Sequence, residues 1–469
     1  MDGEGNVSTE LTYSQVWQKA TAVAEFLKNA GVEEGERIVL CYEFNLEFIQ
    51  AFLGCLIAGA VAVPIYPPNP SKLKYRWFQP MNKHSQQPYS VHYISKALSS
   101  WLTSSRIAAR NGTEEEGKCK EVLAFLQYTS GTTGDPKGVM VPYSSLMHNL
   151  ILYHQMFETM KRAHHHHHHN GEGDSDQRYR PFCWLPQYHD FGLICNYLLV
   201  FFVGSSGCFM SPFDFVRCPP LWLHGLWKMK CNATNVPNFA FKLVLRKWNT
   251  RPVPHGFHLR NLIGIGAGGE ANIPRHVEEF ERFFSFYGMK GGTVSSSYGL
   301  AEHVVTACSD SNIGGRSYSK RTNDHRHHRL CIGVFNHPRS SKFNGVLCKI
   351  VDPDTCLEVP KGSDGEIWLS SPSVALGYWG LDPVTSKATS SHIASRVSWL
   401  RTGDLGFMED NKLFYVSRLK DVIIVRGKNY APKDFETAAD AVEGIRPGCT
   451  IAFSVQGREV EQVVMVSEV

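Results

Sequence analysis

From Thr12 to Tyr287 the chain repeats one pattern: apolar residues at helical spacing, then a short apolar run of strand length. In the first repeat Val16, Ala20, Val23, Phe26 and Leu27 line one face of Thr12 to Asn29, Gly31 stops the helix, and Arg37-Ile38-Val39-Leu40 begins a strand. Phe44 to Ala58 is a second helix, followed by the strand Val61-Ala62-Val63-Pro64-Ile65. The pattern returns at Leu221 to Lys228 with Thr234-Asn235-Val236, at Phe239 to Trp248 with Leu262-Ile263-Gly264, and at His276 to Tyr287. Helices alternating with short apolar strands dictate parallel sheets covered by helices, an α/β fold. With 469 residues and 43% hydrophobic composition the chain buries a large core and has length for about two to four domain-sized units.

From Lys349 the pattern turns to strands alone. Lys349-Ile350-Val351, Gly365 to Leu369, Leu413 to Val416 and Asp421 to Val425 are separated by Gly and Asp turns, so a β-rich subdomain follows, over about 345–418. A helix at Asp434 to Val442 and strands at Thr450 to Val455 and Gln462 to Val466 read as the opening of one more α/β unit. Two polar segments interrupt the order. His164 to His169 leads into Asn-Gly-Glu-Gly-Asp-Ser-Asp and reads as a low-complexity loop insertion, or a tag, rather than a metal site. Ser309 to Arg329, with His325, His327 and His328, lacks periodicity and reads as a second loop.

Charge and cysteine usage exclude several classes. The net charge of +4 is small and its Lys and Arg are dispersed, so there is no nucleic-acid footprint. The 13 cysteines contain no C-x-x-C pair, which argues against a zinc module or disulfide framework and fits a reducing compartment. The N-terminus lacks the basic and apolar regions of a signal peptide, and the expected location is cytoplasmic. Ala51 to Ile65 and Asn196 to Met210 are apolar but shorter than the roughly 20 residues of a membrane span, and each reads as a buried helix running into a strand.

The chemistry concentrates first in Tyr128-Thr129-Ser130-Gly131-Thr132-Thr133-Gly134-Asp135-Pro136-Lys137-Gly138, between the apolar runs Val122 to Leu126 and Val139 to Val141. Gly131, Gly134 and Gly138 let backbone approach an anion, the hydroxyls of Thr129, Ser130, Thr132 and Thr133 donate hydrogen bonds, and Lys137 adds charge. The Walker spacing is absent, so this phosphate loop is of another kind. Further motifs follow in order: Tyr188-His189-Asp190, Gly266-Ala267-Gly268-Gly269-Glu270, Ser297-Tyr298-Gly299-Leu300-Ala301-Glu302, Arg401-Thr402-Gly403-Asp404, and Ser417-Arg418-Leu419-Lys420-Asp421.

In this order the set resembles the adenylate-forming superfamily of acyl-CoA synthetases, luciferases and adenylation domains. It is most similar to the fatty acyl-AMP ligases, through Phe125 to Gly131, Trp184-Leu185-Pro186 before Tyr188 to Leu193, and Gly406 after Arg401 to Leu405. The resemblance runs from about Leu11 to Val469 and weakens over 71–121 and 309–345. It implies a large N-terminal body over 1–418, built of two α/β subdomains and the β-rich one, then the start of a small C-terminal α+β domain over 419–469. It also implies ATP-dependent activation of a fatty acid to acyl-AMP, with pyrophosphate release and transfer to the phosphopantetheine of an acyl carrier protein or polyketide synthase carrier domain. A CoA-forming ligase and a non-catalytic adenylate-binding module of a larger protein are the alternatives.

By the same resemblance, residues 129 to 138 grip the β- and γ-phosphates, and Glu302 supplies a hard oxygen for Mg²⁺. Asp404, in a glycine turn after a strand-like run, accepts the ribose hydroxyls, as a carboxylate with two acceptor oxygens can. Arg418 reaches the ribose or a phosphate, Tyr298 stacks near the adenine within Ser297 to Gly299, and Gly266-Ala267-Gly268 lets the ring lie against backbone. His189 faces the carboxylate and α-phosphate, Lys137 grips the leaving group, and Lys420 is the hinge of the C-terminal domain. Phe201 to Val203, Phe209-Met210 and Pro237 to Phe239 are candidates for the acyl tunnel. The superfamily's Ser-Gly-Lys-type catalytic lysine has no match here, so the chain is expected to be incomplete, to bind ATP and acyl-AMP, and to adenylate slowly.

Overall fold

The computed structural model describes residues 2–67, 121–129, 136–166, 178–310, 331–335, 345–381, 398–425, 428–440, 442–446, 448–456 and 461–469. Its first layer is a four-stranded sheet in the order β1 (Arg37–Cys41), β2 (Val61–Ile65), β3 (Leu123–Thr129), β4 (Lys137–Pro142). The first three strands are parallel and β4 returns antiparallel beside β3. Helices α1 (Tyr13–Asn29) and α2 (Glu47–Ala58) belong to this layer. Thr12 caps α1 through a reciprocal box with Gln15, which satisfies amides the first turn leaves orphaned. The two helices approach closely because residue 54 is glycine: a Cβ there would stand 2.1 Å from Val23 Cγ1.

A longer helix, α3 (Tyr143–His166), follows β4 directly. It corrects the reading of the histidine run as wholly loop, since the helix continues through His166; His167 to His169 lie outside the described residues. The second sheet is β7 (Ala233–Val236), β8 (Gly264–Ala267) and β9 (Val294–Tyr298), parallel, closed by antiparallel β10 (Cys308–Ser309). The parallel pair β5 (Phe182–Cys183) and β6 (Cys208–Phe209) joins it through a bridge from Pro181 to Ala233. Strand β8 starts at Gly264, two residues later than the apolar run Leu262-Ile263 predicts, because Gly-Ile-Gly-Ala has weak strand preference and its pairing is imposed by the strands on either side. Helices α4 (Pro220–Lys228), α5 (Phe239–Lys247) and α6 (Pro274–Ser285) pack on this sheet, and one apolar core runs from Val23 and Phe52 through Phe125 and Leu150 to Trp222 and Phe280.

The β-rich unit is a five-stranded antiparallel sheet, ordered β11 (Cys331–Val334), β15 (Lys412–Arg418), β14 (Leu400–Glu409), β13 (Gly365–Ser370), β12 (Leu347–Val351). Ile350, Ile367, Leu369, Leu400 and Leu413 form its own core. Beyond it come a hairpin of β16 (Ile423–Val425) and β17 (Lys428–Tyr430), helix α7 (Pro432–Ala439), and a hairpin of β18 (Thr450–Gln456) and β19 (Glu461–Ser467). Among the described residues no helix is long and apolar enough to cross a membrane. The architecture is the mixed α/β one that the alternation of helices and strands implies.

Candidate functional site

The register of β3 and β4 ends with Thr129 opposite Lys137, the two residues that bound the hydroxyl- and glycine-rich stretch. Ser130, Gly131, Thr132, Thr133, Gly134 and Asp135 lie outside the described residues. The anchors are described. Gly138 lies against the Tyr128 ring, where a Cβ would come within 3.0 Å of Tyr128 Cζ, and Lys137 Nζ stands over the Tyr378 ring at 5.0 Å from its centroid.

Glu302 sits in the short 3₁₀ turn Ala301–His303 that follows β9. Gly299 admits the close return of the chain, because a Cβ there would lie 1.7 Å from the Val305 carbonyl oxygen. Val304 takes a left-handed φ of 67°, a strained choice for a β-branched residue costing about 1–3 kcal/mol. The surroundings enforce it: buried Asn149 on α3 donates through Nδ2 to the carbonyls of His303 (3.0 Å) and Thr306 (2.8 Å), and Thr306 N–H donates back to Asn149 Oδ1 at 3.3 Å. His303 donates from Nδ1 to the Thr306 carbonyl at 3.0 Å and accepts from Ser371 Oγ at Nε2 at 2.6 Å. Both ring nitrogens are thereby used in the neutral form, and burial pushes this imidazole down to about 4. The Glu302 carboxylate accepts from Tyr378 Oη at Oε1, and the Glu302 carbonyl accepts from Ala375 N–H at 2.9 Å.

Asp404 does not lie in a turn, as Gly-Asp predicts, but within β14, beside a bulge that places Glu366 and Trp368 out of regular register. Gly403 at the bulge has φ 71°, which glycine adopts without penalty. Buried Glu366 holds this bend: Oε2 accepts from Arg401 Nη2 (2.7 Å) and Nε (2.9 Å) and from Trp368 Nε1 (2.9 Å), while Oε1 accepts from Gly403 N–H at 3.1 Å. Asp404 then stands opposite Arg418 of β15. Tyr298 Oη donates to Asp404 Oδ2 at 2.7 Å, and Arg418 Nε is 3.9 Å from Oδ1. Burial pushes the Asp404 carboxyl up to about 6, against the lowering pull of the Tyr298 hydroxyl and the Arg418 guanidinium; the Glu302 and Asp421 carboxylates push the same way as burial.

Ser297 Oγ donates to the Ala267 carbonyl at 3.2 Å, tying the ends of β9 and β8, and Gly268 N–H donates to Val236 O at 3.1 Å. A Cβ at Gly268 would lie 3.1 Å from the Ser297 carbonyl oxygen, a tight approach that a larger residue could make only if Ser297 shifted by a few tenths of an ångström. Gly266 packs against Asn235: a Cβ there would fall 2.3 Å from Asn235 Oδ1. It lines a narrow cavity of about 20 Å³, with Tyr153, Met156, Phe157, Met160 and Tyr179. That volume holds one or two waters. The apolar runs Phe201 to Val203, Phe209-Met210 and Pro237 to Phe239 do not line it. The tip of Met160 occupies the space a side chain at 264 would need, with Cε 2.0 Å from the position of that Cβ. Behind the lining residue Tyr179, Asn235 donates from Nδ2 to Tyr179 Oη (2.9 Å) and Asn196 Oδ1 (3.2 Å), and Asn196 donates from Nδ2 to the Phe191 carbonyl at 3.0 Å.

His189 precedes the short helix Asp190–Gly192, which continues as the π-helical Leu193–Leu198. Its side chain is 58% exposed, with Nδ1 2.7 Å from Asp190 Oδ1, and that carboxylate raises the imidazole above its ordinary range. Lys420 is exposed in the 3₁₀ turn Leu419–Asp421, immediately after β15. Asn149, Glu366 and Tyr378, which shape the site, belong to none of the sequence motifs; a buried asparagine on the apolar face of α3 was the nearest to a signal.

The described side chains thus form two clusters, Asp404 with Tyr298 and Arg418, and Glu302 with Tyr378 and Lys137. The AMP-binding enzyme family matches over residues 5–76 and 73–379, and the chain belongs to that family. It is 30% identical over 501 residues to the medium-chain-fatty-acid–[acyl-carrier-protein] ligase JamA of Moorena producens, covering 100% of this chain and 81% of that one. It is 29% identical over 498 residues to the long-chain-fatty-acid–AMP ligase FadD28 of Mycobacterium tuberculosis, covering 98% and 82%. Among solved structures, the fatty acyl-adenylate ligase of L. pneumophila in complex with acyl adenylate and pyrophosphate aligns with a TM-score of 0.68 at 28% identity, covering 99% of this chain and 82% of that one.

Proposed function

We propose that this protein activates a fatty acid with ATP to give acyl-AMP and pyrophosphate, for transfer to a carrier-protein thiol. The observation that carries the reading is a pair of clusters: Tyr298, Asp404 and Arg418 in one, Glu302 and Lys137, both on Tyr378, in the other. Asp404 would accept the two ribose hydroxyls while Arg418, loosely paired and half exposed, is available to the ribose or a phosphate. Ser297 to Gly299 and Gly266 to Gly268 would bound the adenine, with Tyr298 beside it. Residues 129 to 134 and Lys137 would hold the departing pyrophosphate, and His189 would face the reacting carboxylate and α-phosphate.

The donor set suits magnesium: a single carboxylate, Glu302, shares Tyr378 with Lys137, and Mg²⁺ in phosphate sites takes one or two carboxylates plus phosphate oxygens and water. Glu302 would hold it, and when bound the ion neutralises charge on the phosphates. The cavity beside Met160 and Gly264 would receive the start of the acyl chain, with the two methionines as its movable wall. Lys420 would be the hinge at the border between 1–418 and 419–469, as two half-reactions sharing one site require.

The test is to incubate the protein with ATP, magnesium and a series of fatty acids and to follow acyl-AMP and pyrophosphate. Acyl-AMP that passes to a phosphopantetheinylated carrier supports the proposal. Thioester formed on free CoA would make it a CoA ligase instead, and nucleotide binding without acyl-AMP would make it a binding module.

A further inference from the structure

The segment Leu376 to Trp379 lies along the free edge of β4 like a short added strand. Leu376 N–H donates to Met140 O at 3.0 Å, Met140 N–H to Gly377 O at 2.8 Å, and Trp379 N–H to Gly138 O at 2.8 Å. Gly377 makes the bend with φ 120°, outside the range of other residues. At its centre Tyr378 is buried, opposite Val139, with its ring beneath the Lys137 ammonium and its hydroxyl on Glu302 Oε1. One side chain therefore touches both the lysine at the end of the phosphate hairpin and the carboxylate of the following motif.

We propose that Tyr378 is a positioning residue that presents Glu302 to the cation and Lys137 to the pyrophosphate end of ATP. The inference rests on Glu302 being the metal carboxylate, as proposed above. The hydroxyl takes one carboxylate oxygen and leaves Oε2 with no hydrogen bond among the described residues, so the group offers a single oriented oxygen. A carboxylate that ligates a metal is ordinarily fixed by such a hydrogen bond, and loss of the partner lowers metal affinity by about 10–100-fold. The ring holds the lysine by the attraction between an ammonium and an aromatic face. Packing alone would need only a ring; the hydroxyl is what a phenylalanine lacks.

The experiment is a Mn²⁺ titration followed by electron paramagnetic resonance, with a non-hydrolysable ATP analogue present. Tyr378→Phe is expected to weaken Mn²⁺ by about 10–100-fold, to leave metal-free binding of the analogue unchanged, and to leave KM for the fatty acid unchanged. Tyr378→Leu is expected to weaken pyrophosphate binding as well, because the ring under Lys137 is gone. Tyr378→His, which keeps a ring and a donor, is expected to recover part of the Mn²⁺ affinity and serves if the phenylalanine variant does not fold. Wild-type Mn²⁺ affinity in Tyr378→Phe, with Glu302→Gln weakened, would overturn the role of Tyr378 alone. Wild-type affinity in Glu302→Gln would overturn the assignment of Glu302 and this inference with it.

Discussion

Asp404 and Arg418 face each other across β14 and β15, yet the hydroxyl of Tyr298, not the guanidinium, makes the short contact: 2.7 Å against 3.9 Å. The pair is opposite in register and only loosely bonded. The carboxylate therefore keeps acceptor capacity, and burial leaves it raised rather than lowered.

That raised carboxyl fixes a pH dependence. A folded value of about 6 against an ordinary 3.8 means that the native state binds the proton more tightly, so stability is lost as pH rises between the two values. The cost at neutral pH is about 3 kcal/mol at most. Asp404→Asn is expected to melt at the same or higher temperature than wild type at pH 7.5, with the difference vanishing near pH 4. Adenosine affinity, measured calorimetrically from pH 5 to 8, is expected to fall in wild type as pH drops through 6. In the variant it is expected to be flat and about 10–100-fold weaker, the loss of a hydrogen bond or two to a charged group.

Asp190 controls His189. Because its carboxylate raises the imidazole, His189 stays protonated to a higher pH than an isolated histidine, and activity that uses its charge declines as pH rises through that raised value. In Asp190→Asn the declining limb of kcat/KM is expected to move to lower pH. A limb that stays in place would remove His189 from the role.

Glu366 is predicted to matter for both fold and site. Removing one partner of a buried ion pair costs about 3–5 kcal/mol, and here the same carboxylate also holds the Gly403 amide. Glu366→Ala should lower the melting temperature, and in the folded fraction ATP affinity should fall although no contact with nucleotide has been removed. Thermal denaturation and nucleotide titration separate the two effects.

The wall at Met160 should set acyl length. Met160→Ala opens the cavity and is expected to shift preference toward longer chains, at a stability cost of up to about 2–5 kcal/mol. Gly264→Ala, whose new Cβ would meet Met160 Cε at 2.0 Å, should depress fatty-acid binding while leaving adenosine binding alone. Competition among acids of graded length gives the answer.

The parts of the fold legible in the sequence were those with a strong period. Val61–Ile65 appears with the bounds its apolar run implies, and α1 starts one residue after its capping threonine. Where partners rather than propensity decide, the reading slipped: Gly264–Ala267 pairs because β7 and β9 flank it, and Asp404 is in a strand because a buried glutamate thirty-eight residues earlier, Glu366, supports a bulge. The candidate site was legible as motifs. What joins the motifs was not, because Asn149, Glu366 and Tyr378 act through contacts distant in sequence, and the cavity is walled by α3, which carries none of the motifs.

The segment beside β4 has a consequence unrelated to nucleotide. β4 is the outer strand of its sheet, and an open edge invites pairing with another chain. The amide of Met140 and the carbonyls of Gly138 and Met140 are already taken by Leu376 to Trp379. A lengthened or loosened 374–381 segment would uncover that edge, and such a variant is expected to form intermolecular β-structure before it loses the rest of its fold.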